Sequence, residues 1–483
     1  MKEKTEKKGY LHHFYNIGIG TIGNIFLGLL TTPVVTRLVS TDDYGALSVF
    51  NTYASMAVMI LCFGLDQALI RFYYEEDSDS YKRELIAKTA GLSLATAIPT
   101  CFVAYIFLNR EDVPFDFKGV LLLALSVYVL IRLFLRFALL VLRVEYMTRF
   151  YAMLNALTKA IYLVAAVGML LFIRDANNLR LLVAATVFSA VIPLLIAIYS
   201  KRTLWSLSPI RAKTKVKYKV LLRYGMPFIL SMGITTVFEA MDKLFINFFY
   251  DYNEVGIYAS AVTIVNVFTI LQTTFNTVWA PMATETYVRE PENKGFFHRV
   301  HEIVALIMFL FGFFLILFKD VFILLLGEKY RSASSVVPFL IFHPIMYTVS
   351  ETVVMGVDFK KRSHLHILAA AAACIANACG NYLLVPAMGG RGAAISTGLA
   401  YIVFFAFRCL FGLLNYNYKP KILKIVVLVL ITVGFALYSS FVQNIAGNIV
   451  IFMACTAIAV ILYKDAARSV YTYAAGMIRS KWK

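Results

Sequence analysis

Arg132, Arg136 and Arg143 are separated by four and seven residues in an otherwise apolar run. At 100° per residue they fall within a roughly 40° arc of one helix. Three like charges on one stripe repel, so they call for a water-filled space or an anionic partner. Guanidinium suits phosphate, because its planar fork can meet two oxygens at once. Lys159 stands close to the centre of the next apolar run. Arg37 ends the first, and Asp66 and Arg71 lie near the inner end of the second. Each has an ordinary alternative. Arg37, Arg71 and Arg143 can snorkel to an interface. Arg132, Arg136 and Lys159 can pair with a buried acid such as Glu239 or Asp66.

A second charged group, Glu239, Asp242 and Lys243, interrupts the run 225–249, whose centre is near Val237. If that run crosses a membrane, the three charges lie roughly 3 to 9 Å from the midplane. Facing lipid, each would cost about 2.5 to 3.5 kcal/mol. They must therefore face protein or a wet cavity. Glu239 and Lys243 are four apart and can pair along the helix, which leaves Asp242 to reach another helix. The functional alternative is that Asp242 or Glu239 takes up a proton or a sodium ion.

Enzyme signals are poor. His298-Arg-Val-His301-Glu302 lacks the order of a zinc-protease helix. The chain contains no Walker lysine loop, and Gly389-Gly-Arg-Gly392 reads as a tight turn. The six cysteines (62, 101, 374, 379, 409, 455) all fall inside apolar runs and read as small hydrophobes, not as a disulfide framework or metal site. The expectation is a protein that is not an enzyme and carries neither cofactor nor resident metal.

The elements that position these groups are apolar helices. The 483 residues are 60% hydrophobic and 15% charged, well away from the soluble average. Runs of 18 or more apolar residues recur from end to end, which specifies an all-α polytopic membrane protein. Fourteen spans are expected, at 14–39, 46–70, 87–108, 118–141, 149–173, 181–200, 224–249, 255–281, 300–318, 333–357, 365–387, 391–414, 422–441 and 446–463. Val321 to Leu326 is too short to cross and is expected to dip at the surface between spans nine and ten. With the N-terminus in the cytoplasm, 32 of the 46 Lys and Arg fall inside, 9 outside and 5 within spans. That bias fits the positive-inside rule for a multi-pass protein with both termini cytoplasmic. It also removes nucleic acid as the reason for the net charge of +18.

The longest cytoplasmic link, 201–223, carries eight basic residues and no acid. It reads as a linker held near anionic lipid heads, or as a dock for a partner enzyme. It divides a first lobe (1–200, spans one to six) from a second (224–414, spans seven to twelve), with a final helix pair and tail at 415–483. Thr41-Asp-Asp43-Tyr-Gly45 matches Asn253-Glu254-Val-Gly256 at an offset of 211. Six helices per repeat give both lobes one orientation, so their pseudo-twofold axis would run along the membrane normal.

Four stretches carry a family likeness. Thr31-Thr-Pro33-Val-Val-Thr-Arg37 through Gly45, and Gly64-Leu-Asp-Gln-Ala-Leu-Ile-Arg71, resemble the opening of the Wzx-type polysaccharide flippases. These belong to the multidrug/oligosaccharidyl-lipid/polysaccharide exporter superfamily. Met241-Asp-Lys243-Leu-Phe-Ile followed by Val255-Gly-Ile-Tyr258 is similar to their seventh-to-eighth span motif. Asn381-Tyr-Leu-Leu-Val-Pro386 with Gly389-Gly-Arg-Gly-Ala-Ala394 is similar to the eleventh-to-twelfth junction. The resemblance implies an undecaprenyl-diphosphate-linked oligosaccharide as cargo, flipped from the cytoplasmic to the outer leaflet of a bacterial cell membrane by alternating access. It also implies membrane lipids, glycan polymerases and glycosyltransferases as associates. In that family's relatives basic residues of the first two helices line the cavity, which carries over to Arg37 and Arg71. With Arg132, Arg136 and Lys159 they form the expected cargo site, while Asp66, Glu239, Asp242 and Lys243 form an internal ion-pair set or the ion-coupling site. Competing readings are a peptidoglycan-precursor flippase, a cation-coupled drug exporter of the same superfamily, and, in a different class, a membrane glycan polymerase.

Overall fold

The computed structural model describes residues 27–28, 30–173, 177–206, 216–442 and 444–481, with side chains up to 472. Within these residues the structure is helical, with no strand. A helix at 30–38 (α1) is followed by α2 (Thr41–Leu61), α3 (Leu65–Phe72), α4 (Asp79–Leu108), α5 (Val120–Val144), α6 (Thr148–Phe172), α7 (Asn178–Ser200) and α8 (Tyr218–Phe249). Then come α9 (Tyr252–Asn266), α10 (Thr269–Arg289), α11 (Lys294–Ile323), a 3-10 turn (Glu328–Ser335), α12 (Val337–Leu340) and α13 (Phe342–Phe359). The chain closes with α14 (His364–Met388), α15 (Gly390–Asn415), α16 (Ile422–Phe441), α17 (Ile445–Leu462) and α18 (Lys464–Lys481).

Among the described residues, twelve helical stretches, α12 and α13 counted together, are long and apolar enough to cross a membrane. The pair α9 and α10, bent by 41°, makes a thirteenth. The first expected span, 14–39, lies partly outside the described residues. Span two is interrupted: α2 stops at Leu61, and Phe63 and Gly64 take positive φ angles of 51° and 64° before α3 begins. The dip expected over Val321–Leu326 is a correction. Helix α11 runs on through Ile323, because Lys319 can be buried there. Its ammonium meets Ser334 Oγ at 2.7 Å and Asp320 at 3.2 Å, so the charge need not end the helix.

The chain packs into two compact units that divide at Ala240–Met241, inside α8. The units repeat one element order. Helices α2 and α9 both follow an acid- or serine-capped start, Ser40 and Asp251, and begin 211 residues apart, at 41 and 252. Both are followed by a break. Helices α4 and α11 are each 30 residues long, and α6 and α14 are each 25. Apolar helices have little hydrophobic reason to associate in lipid, so close backbone contact between small residues holds them. In the first unit α8 crosses the α2–α3 break glycine to glycine. A Cβ on Gly64 would lie 2.1 Å from the Gly225 carbonyl oxygen. In the second unit α13 and α15 meet the same way, where a Cβ on Gly356 would lie 2.2 Å from the Gly412 oxygen.

Candidate functional site

The first unit places the basic stripe of α5 against α2 and α3. The break at Gly64 turns the chain so that Asp66 opens α3, and the carboxylate is buried. Arg136 donates to a single oxygen of it, Oδ2, from Nε at 3.1 Å and from a terminal nitrogen at 2.5 Å. The Gln67 backbone N–H holds Oδ1 at 2.9 Å. Asp66 is almost closed off while the Arg136 side chain keeps 38% of its surface exposed, so the arginine still has donors facing outward. One turn earlier Arg132 donates to Ser55 Oγ at 3.0 Å and lies over the Tyr128 ring at 5.5 Å. Among the described residues no carboxylate comes within ion-pairing distance of it. A half-buried guanidinium held by a hydroxyl and an aromatic face is oriented but not neutralised, which is what an anion site requires.

The other basic candidates are distributed differently. Lys159 on α6 is exposed, and a Cβ on Gly28, just before α1, would lie 3.4 Å from its ammonium. Arg37 is exposed near the end of α1 and Arg143 near the end of α5. Arg71 is exposed and pairs with Glu75, four residues on, at 3.2 Å. Contact geometry therefore joins Arg136 to Asp66 and Arg132 to Ser55, and leaves Arg71 in a local surface pair. Glu145, just beyond α5, binds Lys201 at 2.7 Å and the Tyr73 hydroxyl at 2.7 Å. Burial pulls its pKa upward, but Lys201 and Tyr73 outweigh burial and hold the carboxyl below its usual range.

In the second unit Asp242 has the most elaborate surroundings. It is 6% exposed, on α8, and both oxygens are fully engaged. Oδ1 accepts from Asn377 at 3.0 Å and Asn381 at 2.7 Å, both on α14. Oδ2 accepts from Thr397 on α15 at 2.5 Å and from the Tyr258 hydroxyl on α9. Asn377 also touches Ser396. Every one of these partners is neutral. The Asn381 side-chain oxygen is buried beside them with no hydrogen-bond partner. A buried carboxylate ringed by amide N–H and hydroxyl donors, with one amide oxygen left over beside it, has the chemistry to hold a proton or a small monovalent cation. Glu239 is exposed and Lys243 half-buried on the same helix. No cluster of three His, Cys, Asp or Glu able to hold a metal occurs among the described residues.

Sequence reading reached Asp242 but not Tyr258, Asn377, Asn381 or Thr397 as its partners. The available signal was Asn377 and Asn381, four apart in the alanine-rich stretch of α14. Two amides on one face of a membrane helix need a polar partner on another.

With this geometry in place, comparison with known proteins fixes the class. The helical frame is similar to a lipid II flippase MurJ in its inward closed conformation, with a TM-score of 0.67 and 15% identity over 95% of this chain and 99% of that one. It is also similar to an inward-facing multidrug resistance MATE family transporter of the MOP superfamily, with a TM-score of 0.56 and 17% identity over 85% of this chain and 95% of that one. At these identities the likeness is one of fold. A curated relative, an uncharacterized membrane protein of Methanocaldococcus jannaschii, is 22% identical over 436 residues, 85% of each chain. The family model described as polysaccharide biosynthesis protein matches residues 13–287. The chain belongs to that family.

Proposed function

We propose that this protein is a flippase that carries a polyprenyl-diphosphate-linked oligosaccharide from the cytoplasmic to the outer leaflet of a bacterial cytoplasmic membrane by alternating access. Both termini lie inside, and the enzymes that build and polymerise the glycan act beside it. A lipid diphosphate cannot cross unaided, because its charge would have to enter hydrocarbon. The observation that carries this reading is Arg132, half-buried in a membrane helix and met, among the described residues, by a hydroxyl and a ring and by no carboxylate. It has donors for a phosphate, and Arg136, tethered by Asp66 with part of its surface open, adds more. Lys159, Arg37 and Arg71 extend the basic set. Family membership in polysaccharide biosynthesis supports the glycan part of the cargo.

Asp242 is the proposed coupling group. Binding and release of a proton or sodium ion there would change which of Tyr258, Asn377, Asn381 and Thr397 it holds, and so how α8, α9, α14 and α15 pack. The test of cargo binding is the Arg132→Ala/Arg136→Ala double variant. Surface glycan should be lost while a C-terminal fluorescent fusion still reports normal membrane insertion. Wild-type glycan output from that variant overturns the assignment.

A further inference from the structure

Helix α13 is buried along almost its whole length. Between Phe342 and Val357 only His343, Tyr347 and Glu351 are not buried. Their spacing of four puts them on one stripe, about 12 Å long from first to last. A stripe facing lipid would be aliphatic. This one bears an imidazole, a phenol and a carboxylate, so it opens onto a polar space.

Helix α15 lays a second row beside it. Tyr401 stacks on His343 with ring centres 4.3 Å apart, and Phe404 stacks on Tyr347 at 5.7 Å. Arg408 closes the row, 5.2 Å from the Tyr347 ring and 5.0 Å from that of Phe404. Its terminal nitrogens donate to Ser350 at 2.7 Å and to one oxygen of Glu351 at 2.8 Å. The Trp279 indole N–H holds the Glu351 carbonyl at 3.0 Å. Arg408 is only 5% exposed, yet its Nε is buried with no hydrogen-bond partner. Leaving such a donor unpaired is costly. The tight α13–α15 crossing at Gly356 and Gly412 fixes the two rows at this end.

The chemistry selects one ligand class. Arg408 and Glu351 neutralise each other, so the wall has little field for a diphosphate or a cation. What remains is the partly exposed aromatic surface of Tyr347, Tyr401 and Phe404 and the partly exposed Glu351 carboxylate beside Arg408. A pyranose ring offers the complement, with apolar C–H faces for the rings and hydroxyls for the polar pair. We infer that this wall of the second unit is a binding subsite for a neutral pyranose of the transported glycan, an inference that rests on the flippase reading above.

The experiment uses the full chain in lipid nanodiscs and native mass spectrometry. The probes are bare undecaprenyl diphosphate and the same lipid carrying one glucose, galactose or N-acetylglucosamine. For the wild type, at least one sugar-bearing lipid should bind about tenfold more tightly than the bare lipid, equivalent to about 1.4 kcal/mol. Tyr347→Ala and Tyr401→Ala should cut that increment below about twofold and leave bare-lipid binding unchanged. Tyr347→Phe and Tyr401→Phe should keep it, because the rings remain. Binding of the bare lipid with no gain from any sugar overturns the subsite alone, on the wild type and without need of variants. So does an increment that survives in folded alanine variants. If neither bare nor sugar-bearing lipid binds, the flippase reading fails and the subsite falls with it.

Discussion

Replacing Asp242 with asparagine separates its structural from its coupling role. The carboxylate takes four hydrogen bonds, two from amides on Oδ1 and two from hydroxyls on Oδ2. In Asp242→Asn the side-chain oxygen can keep both amide bonds. The new amide group faces Tyr258 and Thr397, whose hydroxyls can rotate to accept. All four contacts survive, but none is charge-assisted. The loss is about 1 kcal/mol per bond, or about 4 kcal/mol in all. Against this, a buried carboxylate is no longer taken out of water, a gain of several kcal/mol. The two nearly cancel, so the expected stability change is within about 2 kcal/mol. Asp242→Ala is different. It leaves two buried amides without an acceptor, at about 1 to 3 kcal/mol each, and loses the hydroxyl contacts as well.

The assay pairs thermal unfolding in detergent with lipid-linked glycan flipping in proteoliposomes under imposed pH and sodium gradients. The asparagine variant should unfold close to the wild type, and its flipping should no longer respond to either gradient. The alanine variant should unfold at clearly lower temperature. A well-folded Asp242→Asn protein whose flipping keeps the wild-type pH or sodium dependence refutes the coupling role and leaves Asp242 a packing group.

Further expected outcomes test the frame and the basic stripe. Gly64→Ala should destabilise by about 2 to 5 kcal/mol, from the positive φ together with overpacking against Gly225, seen as a lowered unfolding midpoint. Asp66→Ala strands Arg136. Because that arginine is 38% exposed, the cost should be about 1 to 3 kcal/mol, and the Asp66→Ala/Arg136→Ala double variant should recover part of it in a double-mutant cycle. Glu145 holds its proton less tightly folded than unfolded. Its contribution should be full above the ordinary glutamate pKa of about 4.3 and be lost only below it, as pH falls through the lowered folded value. The midpoint difference between wild type and Glu145→Gln should therefore hold from neutral pH to about 4 and shrink below it.

How much of this was legible in the sequence depends on the range of the signal. Spans such as 422–441 show in composition alone, and the helix there has the same bounds, Ile422–Phe441. The interruption after Leu61 was missed because Phe63-Gly64 sits in an apolar run. Its cause is the backbone of Gly225, about 160 residues away. The short surface dip after span nine failed for a similar reason. Lys319 looks like a helix terminator until Ser334 is placed beside it. In the candidate site, charged residues in apolar helices announce themselves, which is why Arg132, Arg136 and Asp242 were found. Their neutral partners do not, since Thr397 or Ser55 in a membrane helix is usually satisfied by its own backbone.

The two repeats share a helix order but not a chemistry, and the difference follows from where each keeps its charge. In the first unit the middle of α5 carries Arg132 and Arg136 for one buried acid, Asp66, so a positive charge is left to be met by another partner. In the second, Arg408 of α15 is matched with Glu351, while α8 brings in Asp242, whose partners among the described residues are neutral. The proposed cargo and coupling would draw on these environments separately, an anionic lipid head on the first and a driving cation on Asp242. Exchanging the environments is the sharpest check. Thr397→Lys, which would neutralise Asp242 as Arg136 neutralises Asp66, should abolish any ion dependence of flipping without restoring transport to an Arg132→Ala/Arg136→Ala protein. Restoration would mean that the net sign of charge, not its place, is what the cargo reads.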